Sequence, residues 1–199
     1  MRGLSLLESA AAMLDGGASV LQIRHKGLWV PAIYQAAREV AELCRHARAT
    51  LIVNDRADIA KLLGAGLHVG QDDLAPADAR ALLGDVPWIG RSTHNDVQLR
   101  AAAAEPVNYL ALGPIFGTAS KHNPEPVVGL DELRRCRPLV DGPLVAIGGI
   151  TRENARSVFQ AGADSVAVIG DLIPAGPASA AALRRRIEEW RAVTAVTPP

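Results

Sequence analysis

The sequence predicts an α/β fold with a parallel sheet, and three observations support this prediction. Short apolar runs alternate with segments of helical periodicity along most of the chain. Glycines end several predicted helices a few residues before the next apolar run, as at Gly16, Gly64 and Gly162. Polar residues or glycines follow each apolar run. Strands and helices that alternate in this way are typical of parallel sheets, which bind ligands at the carboxyl ends of their strands.

The predicted helices carry apolar residues at helical spacing. In the first of them Leu4, Leu7 and Leu14 share one face, and Pro31 precedes the second. The predicted helices span residues 4–15, the segment after Pro31, and residues 60–63, 77–83, 95–104, 130–137, 152–161 and 178–191.

The predicted strands are short and rich in β-forming residues. Leu51, Ile52 and Val53 form an apolar run without alternation, as expected of a parallel strand that is buried on both faces. The predicted strands span residues 19–23, 51–54, 67–69, 88–90, 109–112, 144–147 and 165–169.

The number and order of these elements predict a barrel. Seven strands are each followed by a helix, and one more helix precedes the first strand. We therefore expect a (β/α)8 TIM barrel that lacks its first β-strand, which would belong before Met1. Without that strand, two neighbouring strands would present open edges. A doubly wound open sheet remains the alternative, because periodicity does not show closure. We expect one domain over residues 1–192 and a frayed tail at 193–199.

Composition excludes several classes of partner. Acidic and basic residues number 21 each, so the net charge indicates neither nucleic acid nor a membrane surface. The chain has no basic leader with an apolar centre, and no apolar run approaches the roughly 18 residues of a membrane span. We expect a cytoplasmic protein. Cys44 and Cys136 lack metal-ligand spacing and are interpreted as reduced structural residues. The oligomeric state stays open, a homo-oligomer included.

Polar residues or glycines follow all seven predicted strands. In chain order they are Arg24 and Lys26, Asn54 and Asp55, Gln71 with Asp72 and Asp73, Ser92 and His94, Thr118 with Ser120 and Lys121, Gly148-Gly149, and Gly170-Asp171. Any one of these groups also suits an ordinary solvated loop. Because the carboxyl ends of parallel strands meet at one edge, the seven groups together predict a single site.

A Mg²⁺ site is predicted where Asp55 meets Asp72 or Asp73. Carboxylates without cysteine are hard oxygen ligands, and proteins commonly hold Mg²⁺ with one or two of them plus water and phosphate oxygens. In the alternative interpretation, Asp72 and Asp73 cap the helix that follows them.

Three cations can face the same space as these carboxylates. They are Arg24, Lys26 and Lys121. Cations and a divalent ion around one cavity suit a diphosphate, whose negative charge the protein must offset as it departs. The alternative is ordinary salt bridging at the surface. Phosphorylated small molecules are therefore the expected partners.

A second phosphate site is predicted at the last two strand ends. Gly148-Gly149 precedes the helix expected from about Thr151, and Gly170 follows the last strand. Backbone N–H groups and a helix start could therefore surround a monophosphate. The loops after strands 7 and 8 of (β/α)8 barrels are a recurrent phosphate site.

The chain resembles the thiamine-phosphate synthase family from about Gly3 to Leu172. The resemblance rests on ordered motifs, which are LQIRHK at 21–26, LIVNDRADIA at 51–60, LHVGQDDL at 67–74, IGRSTH at 89–94, LGPIFGTASK at 112–121, VAIGGI at 145–150 and AGADSVAVIG at 161–170. It implies a (β/α)8 barrel and a transferase of thiamine biosynthesis. That enzyme joins 4-amino-2-methyl-5-(diphosphooxymethyl)pyrimidine to a thiazole phosphate, giving thiamine phosphate and diphosphate with Mg²⁺.

The resemblance also implies roles for individual residues. The residues that would bind the pyrimidine diphosphate are Gln22, Arg24, Lys26, Asn54, Ser92 and Lys121. Among them, the catalytic cations would be Arg24, Lys26 and Lys121. Asp55 and Asp73 would hold the metal. The residues that would line the thiazole phosphate site are Thr118, Ala119, Ser120, Gly149, Ile169 and Gly170.

The family chemistry needs no protein nucleophile. The amino group of the pyrimidine pushes electrons towards the exocyclic carbon, diphosphate leaves dissociatively, and the thiazole nitrogen captures the cation. The protein would hold both substrates in line and stabilise the leaving charge. We interpret His94 as structural or substrate-orienting rather than as a base, and His68 as inward-facing or part of the core.

Three departures from the family pattern stand out. The family usually begins with a strand that ends near an aspartate, whereas this chain begins at the following helix. Gly117 stands where the family commonly has proline, and Gly170 where it often has serine. Gly170 in place of serine would remove one hydroxyl from the thiazole phosphate site but keep its backbone donors.

Two rival functions remain. A thiazole tautomerase shares the barrel and isomerises a thiazole carboxylate phosphate without a diphosphate site, but its catalytic histidine would fall in the LGPIF segment, where this chain has Pro114. The other rival is a non-catalytic binder of phosphate ligands, in which the incomplete barrel has lost activity.

Overall fold

The computed structural model describes residues 3–84, 88–118, 125–173 and 179–195. Its strands are β1 (Val20–Ile23), β2 (Thr50–Asn54), β3 (Gly66–Val69), β4 (Ile89–Thr93), β5 (Tyr109–Leu112), β6 (Leu144–Ile147) and β7 (Ser165–Ala167). Its helices are α1 (Leu6–Asp15), α2 (Pro31–Ala47), α3 (Ala57–Leu63), α4 (Pro76–Leu83), α5 (Asp96–Ala103), α6 (Gly129–Cys136), α7 (Ala155–Gln160) and α8 (Ala180–Ala195). Short 3-10 turns span Arg137–Leu139 and Gly170–Leu172.

The strands form one curled, all-parallel sheet. Their spatial order is β1-β2-β3-β4-β5-β6-β7, so each strand pairs with its neighbours in sequence. A doubly wound sheet would reverse its strand order at a switch point, so that alternative is wrong. Within the described part of the chain, β1 and β7 each pair with a single strand, and the sheet is a TIM-like half-barrel with one strand position open.

The outer face of the sheet forms the hydrophobic core with the helices. One cluster joins β1–β4 to α1–α4, and a second joins β5 and β6 to α5–α8. Strand β2 is buried on both faces, because Ile52 on one face and Val53 on the other are only 2% and 0% exposed. The predicted burial of this strand on both faces is confirmed.

The inner face of the sheet carries the polar residues. Cα partners across neighbouring strands place Asn54, His68, Gly90 and Tyr109 in one row. Residues of one row in a parallel sheet point to the same face, because successive side chains along each strand alternate. The row therefore turns two rings and an amide towards the barrel interior, on both sides of a glycine.

Helices α1 and α8 pack against each other across the open strand position. A Cβ atom on Gly16, at the end of α1, would lie 2.7 Å from the Arg184 carbonyl oxygen and 2.7 Å from the Ile187 Cβ. Only glycine allows the two helices to approach so closely. The helix α8 buries Leu183, Ile187 and Trp190 on its inner side. The outer layer of helices is thus continuous where the sheet is not.

Strand β4 is longer than the prediction of 88–90. It continues through Arg91 and Thr93, two polar residues that find partners inside the fold. The Thr93 hydroxyl donates to the Ala111 carbonyl at 2.9 Å, and Arg91 forms an ion pair with Glu105 at 2.5 Å. Polar residues on the core side of a strand interrupt the run of apolar residues from which a strand is predicted. For this reason the predicted strand ended at residue 90.

Three helices also differ from their predicted limits. The helix α3 begins at Ala57 rather than at residue 60. The helix α7 begins at Ala155 rather than at 152, because the Asn154 Oδ1 accepts a hydrogen bond from the Thr151 N–H at 2.8 Å and holds a turn before it. The helix α8 continues to Ala195, so the predicted tail begins inside it. Residues 196–199 of that tail lie outside the described residues.

Both cysteines are free thiols in the core. Cys44 and Cys136 are 1% and 0% exposed. Burial raises the pKa of both thiols, that of Cys136 to about 11, which disfavours the reactive thiolate. This placement agrees with the structural role predicted for them. Among the described helices, none combines the length and apolar character that a membrane span requires.

Candidate functional site

The carboxyl end of β2 leads directly into the candidate site. Asn54 is the last residue of the strand, is 9% exposed and faces the interior. Asp55 follows with φ of 66°, a left-handed conformation that aspartate and asparagine tolerate better than most residues. The Asp55 N–H donates to the His68 carbonyl at 2.8 Å, which ties this turn to β3. The turn aims the Asp55 carboxylate at the rim of the half-barrel.

Asp55 forms an ion pair with Lys26 from the loop after β1. The two side chains are unequally exposed, 19% for Asp55 and 56% for Lys26. Lys26 can therefore move towards a ligand, whereas Asp55 is held by its backbone. The prediction placed both residues at the same rim, and the structure brings them into contact.

Asp73 completes the acidic part of the site. Its Oδ2 accepts a hydrogen bond from the Gly70 N–H at 2.7 Å, and its carboxyl group lies beside that of Asp55. Burial raises the pKa of Asp73, and the neighbouring Asp55 adds to this effect. Asp72 is exposed. Of the two aspartates that the sequence left open, Asp73 is the one that meets Asp55.

Ser92 lies on the inner face of β4, one layer above the row that contains His68. The His68 Nε2 is 2.8 Å from the Ser92 Oγ, and the His68 Nδ1 is 2.8 Å from the Tyr109 hydroxyl. His68 and Tyr109 also stack, with ring centroids 5.5 Å apart. Burial lowers the pKa of His68 to about 4, so the ring is neutral near pH 7. The prediction of an inward-facing histidine is confirmed.

Ser92 and His94 are held by hydrogen bonds to neighbouring segments. The Gln71 side-chain amide donates to the Ser92 carbonyl at 2.5 Å. The His94 Nδ1 is 2.5 Å from the Gly113 carbonyl oxygen, and the His94 N–H donates to the Gln98 Oε1 at 2.8 Å. Bonds from the ring and backbone of His94 to neighbouring protein groups fit the structural role expected of it, rather than that of a base.

Gln22 and Arg24 stand at the edge of the site. Gln22 is on β1 and Arg24 follows it, on the same face of that strand. Both are exposed, because β1 borders the open strand position. Their placement leaves them free to reach a ligand over the rim, beside Asn54 of the neighbouring strand.

The ends of β5 and β6 form the second half of the rim. The Ile115 N–H donates to the Ile147 carbonyl at 2.9 Å, and the Phe116 N–H donates to the Gly148 carbonyl at 3.0 Å. These bonds extend the strand pairing into the loop that leads to Thr118. The description of this loop stops at Thr118 and resumes at residue 125, so Ala119, Ser120 and Lys121, which the resemblance placed in the site, lie outside the described residues.

The glycine pair at the end of β6 packs against that loop. Gly149 has φ of 64°, and a Cβ atom on it would lie 2.5 Å from the Gly117 carbonyl oxygen and 2.7 Å from the Phe116 Cβ. Glycine is required here by both the backbone conformation and the close contact. Gly149 and Thr118 are therefore neighbours across the ends of β5 and β6.

Ile169 and Gly170 follow the end of β7, which is next to β6 in the sheet. Ile147, two residues before Gly149, pairs with Ala167, two residues before Ile169. Asp171, next in the chain, is occupied by ion pairs with Arg152 at 2.9 Å and with Arg186 at 3.6 Å. These pairs fix the turn to α8 and leave Asp171 as a structural residue.

The sequence did not reveal the part played by Tyr109 and Gln71 in holding Ser92. Tyr109 was noted only as the start of a strand, and Gln71 only as one polar residue of a loop. The signal that could have found Tyr109 is Gly90, because a glycine inside a strand often marks a close approach by another group. A Cβ atom on Gly90 would lie 2.0 Å from the Tyr109 Cζ.

The donor set suits a hard divalent cation. Two neighbouring carboxyl groups, Asp55 and Asp73, concentrate negative charge that a cation would offset. Among the described residues, no group of three or more His, Cys, Asp or Glu side chains is placed to hold a metal ion. A cation at Asp55 and Asp73 would need further ligands from water or substrate, which is how Mg²⁺ is usually bound.

The chain matches known proteins along most of its length. A family model described as thiamine monophosphate synthase matches residues 2–172. The chain is 53% identical over 170 residues to the thiamine-phosphate synthase of Koribacter versatilis, with 85% of this chain and 80% of that protein covered. It is 43% identical over 185 residues to the thiamine-phosphate synthase of Moorella thermoacetica, with 92% and 88% covered.

A solved structure agrees with these sequence matches. The thiamine phosphate pyrophosphorylase from Pyrococcus furiosus superposes with a TM-score of 0.84 at 30% identity, over 97% of this chain and 91% of that chain. The family model, the relatives and the structure all agree with the resemblance seen in the motifs. The chain therefore belongs to the thiamine-phosphate synthase family.

Proposed function

We propose that the chain joins 4-amino-2-methyl-5-(diphosphooxymethyl)pyrimidine to a thiazole phosphate, releasing diphosphate and forming thiamine phosphate. The observation that carries this proposal is the contact of Asp55 with both Lys26 and Asp73 at the rim, within a chain of this family. A cation and two carboxyl groups in contact at a strand-end rim suit a diphosphate leaving group that is bound with a divalent ion.

Residues at or after the ends of β1 to β4, which form the first half of the rim, would bind the pyrimidine diphosphate. Lys26 and Arg24 carry positive charge on exposed side chains, which can offset the charge that develops on the departing diphosphate. Lys121 would add a third cation from the loop after β5. Asn54 on β2 and Ser92 on β4 face the interior of the half-barrel and can hydrogen-bond the substrate. Gln22 would extend this set at the edge of β1.

Asp55 and Asp73 would hold Mg²⁺ in this proposal. When bound, the ion would neutralise charge on the diphosphate oxygens and orient them. The protein itself would keep the two carboxyl groups in place, Asp55 through its bond to the His68 carbonyl and Asp73 through the Gly70 N–H. Lys26 would exchange its contact with Asp55 for the substrate.

The second half-rim would bind the thiazole phosphate. Thr118, Gly149 and Gly170 follow β5, β6 and β7, which are neighbours in the sheet, and backbone N–H groups of these loops would bind the phosphate. Ala119, Ser120 and Ile169 would complete this site. The helix α7 is short and starts after a turn, so we assign the phosphate contacts to the loops rather than to a helix terminus. Two adjacent half-rims would hold the reacting carbon and nitrogen in line.

The direct test is a coupled-substrate assay with purified protein. With both substrates and Mg²⁺, we expect thiamine phosphate and diphosphate to form in equal amounts, as measured by chromatography and a diphosphate assay. Binding of both substrates without product would reject a synthase and favour the non-catalytic binder. Isomerisation of a thiazole carboxylate phosphate in the absence of the pyrimidine would favour the tautomerase, although Pro114 stands where that enzyme would need histidine.

We also propose that a complete (β/α)8 barrel is the working form of the fold. The open position lies between β7 and β1, and α1 and α8 already pack across it. A parallel strand placed there would pair with both free edges and lead into α1. It would also shield the inner face of β1, where Gln22 is exposed.

A strand added at the N-terminus tests this proposal. A five-residue extension rich in valine and threonine is expected to raise Tm by about 5 °C and to slow hydrogen exchange of the β1 and β7 amides. A glycine-serine extension of equal length is the control. Equal Tm values and exchange rates for the two extensions would contradict the proposal.

A further inference from the structure

We propose that Tyr109 and His68 are positioning residues that orient the Ser92 hydroxyl, so that it donates its hydrogen to the bound pyrimidine diphosphate. The inference rests on the proposed function, because Ser92 is one of the residues assigned to that substrate. It adds a direction to the hydrogen bonds: Tyr109 donates to His68, His68 donates to Ser92, and Ser92 donates to the ligand.

The three side chains form one chain of hydrogen bonds. Both ring nitrogens of His68 have a hydroxyl partner at 2.8 Å, Tyr109 at Nδ1 and Ser92 at Nε2. These distances are ideal for hydrogen bonds that involve hydroxyl groups. His68 is 7% exposed, whereas Ser92 is half-buried at the layer that faces the rim. The chain therefore leads from the interior of the half-barrel to the substrate side.

Strand register explains how the two rings meet. His68, Gly90 and Tyr109 occupy one row across β3, β4 and β5. A side chain on the middle strand would separate the rings, since a Cβ atom on Gly90 would lie 2.0 Å from the Tyr109 Cζ. The glycine leaves that space to Tyr109, whose hydroxyl then reaches the His68 Nδ1. Ser92, two residues after Gly90, faces the same side from the next layer.

The number of available protons fixes the direction of the chain. A neutral histidine has one N–H, so it donates at one nitrogen and accepts at the other. Among the described residues, His68 is the hydrogen-bond partner found for the Tyr109 hydroxyl. If the Nδ1 of His68 carried the hydrogen, the phenol O–H of the half-buried Tyr109 would have no acceptor among the residues that the structure describes, which is costly. The hydrogen therefore belongs on Nε2, and Tyr109 donates to Nδ1.

This direction leaves Ser92 as a donor. The Ser92 Oγ accepts from the His68 Nε2–H, so its own hydrogen is free to point away from His68. Phosphate oxygens and unprotonated pyrimidine nitrogens are acceptors, so a hydroxyl turned the other way would meet them lone pair to lone pair. Gln71 holds the Ser92 carbonyl, so the rotation of the Ser92 hydroxyl is what remains to be fixed. The hydrogen-bond relay from Tyr109 through His68 to Ser92 fixes it.

The first test reads the tautomer of His68 in the free protein. Long-range ¹H–¹⁵N NMR spectra of ¹⁵N-histidine-labelled protein are expected to show the Nε2–H tautomer. Tyr109→Phe removes the donor to Nδ1, so both tautomers should then be populated. A wild-type spectrum with the hydrogen on Nδ1 would overturn the proposal. This readout does not depend on turnover, so it stands even if the proposed reaction fails.

The second test is a double-mutant cycle on kcat/KM for the pyrimidine diphosphate. Tyr109→Phe is expected to lower kcat/KM about tenfold, with the KM for the thiazole phosphate unchanged. Ser92→Ala should lower kcat/KM at least as much, and the double variant no further than Ser92→Ala alone, because Tyr109 acts through Ser92. Additive losses, or an unchanged kcat/KM in Tyr109→Phe, would contradict the relay.

Tyr34→Phe is the matched control for Tyr109→Phe. Tyr34 is the other tyrosine of the chain, and it packs against the hydrophobic core on α2, away from the inner face. It should leave both kcat/KM and the His68 tautomer at wild-type values. Equal effects of the two substitutions would show a general packing effect instead of positioning.

Discussion

Replacing Asp55 with asparagine is expected to lower kcat roughly 10³-fold or more, which corresponds to about 4 kcal/mol of lost transition-state stabilisation. Asp55 contacts both Lys26 and Asp73, so its charge organises the cationic and the acidic parts of the site. Asparagine keeps the shape of the side chain but removes the charge that a divalent ion requires. We also expect the reaction to need a higher Mg²⁺ concentration for half-maximal rate.

Asparagine is a better test than alanine because of the backbone. Asp55 has φ of 66°, and asparagine adopts this left-handed conformation more readily than alanine does. The N–H bond from residue 55 to the His68 carbonyl is unchanged by either substitution. Tm of Asp55→Asn should therefore stay close to the wild-type value, and a loss of rate can be assigned to the missing charge.

Asp72→Asn provides the matched control. Asp72 is an exposed carboxylate directly before Asp73, so its substitution changes net charge by the same amount in the loop that carries Asp73. Steady-state kinetics with both substrates and a Mg²⁺ titration should leave this variant near the wild-type rate. Comparable losses in Asp55→Asn and Asp72→Asn, or a wild-type rate in Asp55→Asn, would remove the metal assignment of Asp55.

The prediction of Asp55 and of the strand order worked because each depends on local pattern. An apolar run that stops at a carboxylate marks a strand end, and alternating strands and helices lead to sequential parallel pairing. The sheet order agrees with this expectation. Contact between Asp55 and Lys26, by contrast, joins residues 29 positions apart, and spacing predicted only that they share a rim.

The relay could not be predicted because it depends on register between distant strands. His68 and Tyr109 are 41 positions apart, and their contact needs the glycine of a third strand between them. Sequence spacing does not state which residues share a row. The end of β4 was missed for a related reason: Arg91 and Thr93 are polar residues with partners inside the fold, and these partners cannot be read from neighbouring positions.

Replacing Gly149 with alanine is expected to lower kcat/KM for the thiazole phosphate roughly 10²-fold, because a displacement of about 1 Å at a positioned substrate is enough for such a loss. The new Cβ would lie 2.5 Å from the Gly117 carbonyl oxygen, so the loop before Thr118 must move. The KM for the pyrimidine diphosphate should change little, since Asp55 and Lys26 lie at the opposite half of the rim.

Gly64→Ala is the control for Gly149→Ala. It separates the free-energy cost of a left-handed alanine from the effect of moving the loop before Thr118. Gly64 has φ of 62°, close to the 64° of Gly149, but nothing lies within 4 Å of the position of its Cβ. Both substitutions should therefore lose about 1 kcal/mol of folding free energy from the left-handed backbone. Only Gly149→Ala should lose more, and only it should affect the thiazole phosphate.

Denaturant unfolding and kinetics with each substrate varied in turn measure these effects. Gly117 makes the comparison informative, because its position before Thr118 is where the family commonly has proline, and a looser loop could yield to the new Cβ. If it yields, the folding free energies of Gly149→Ala and Gly64→Ala will be equal and kcat/KM will stay at the wild-type value. That result would place the thiazole phosphate away from Gly149, since movement of a loop that holds this ligand would change kcat/KM.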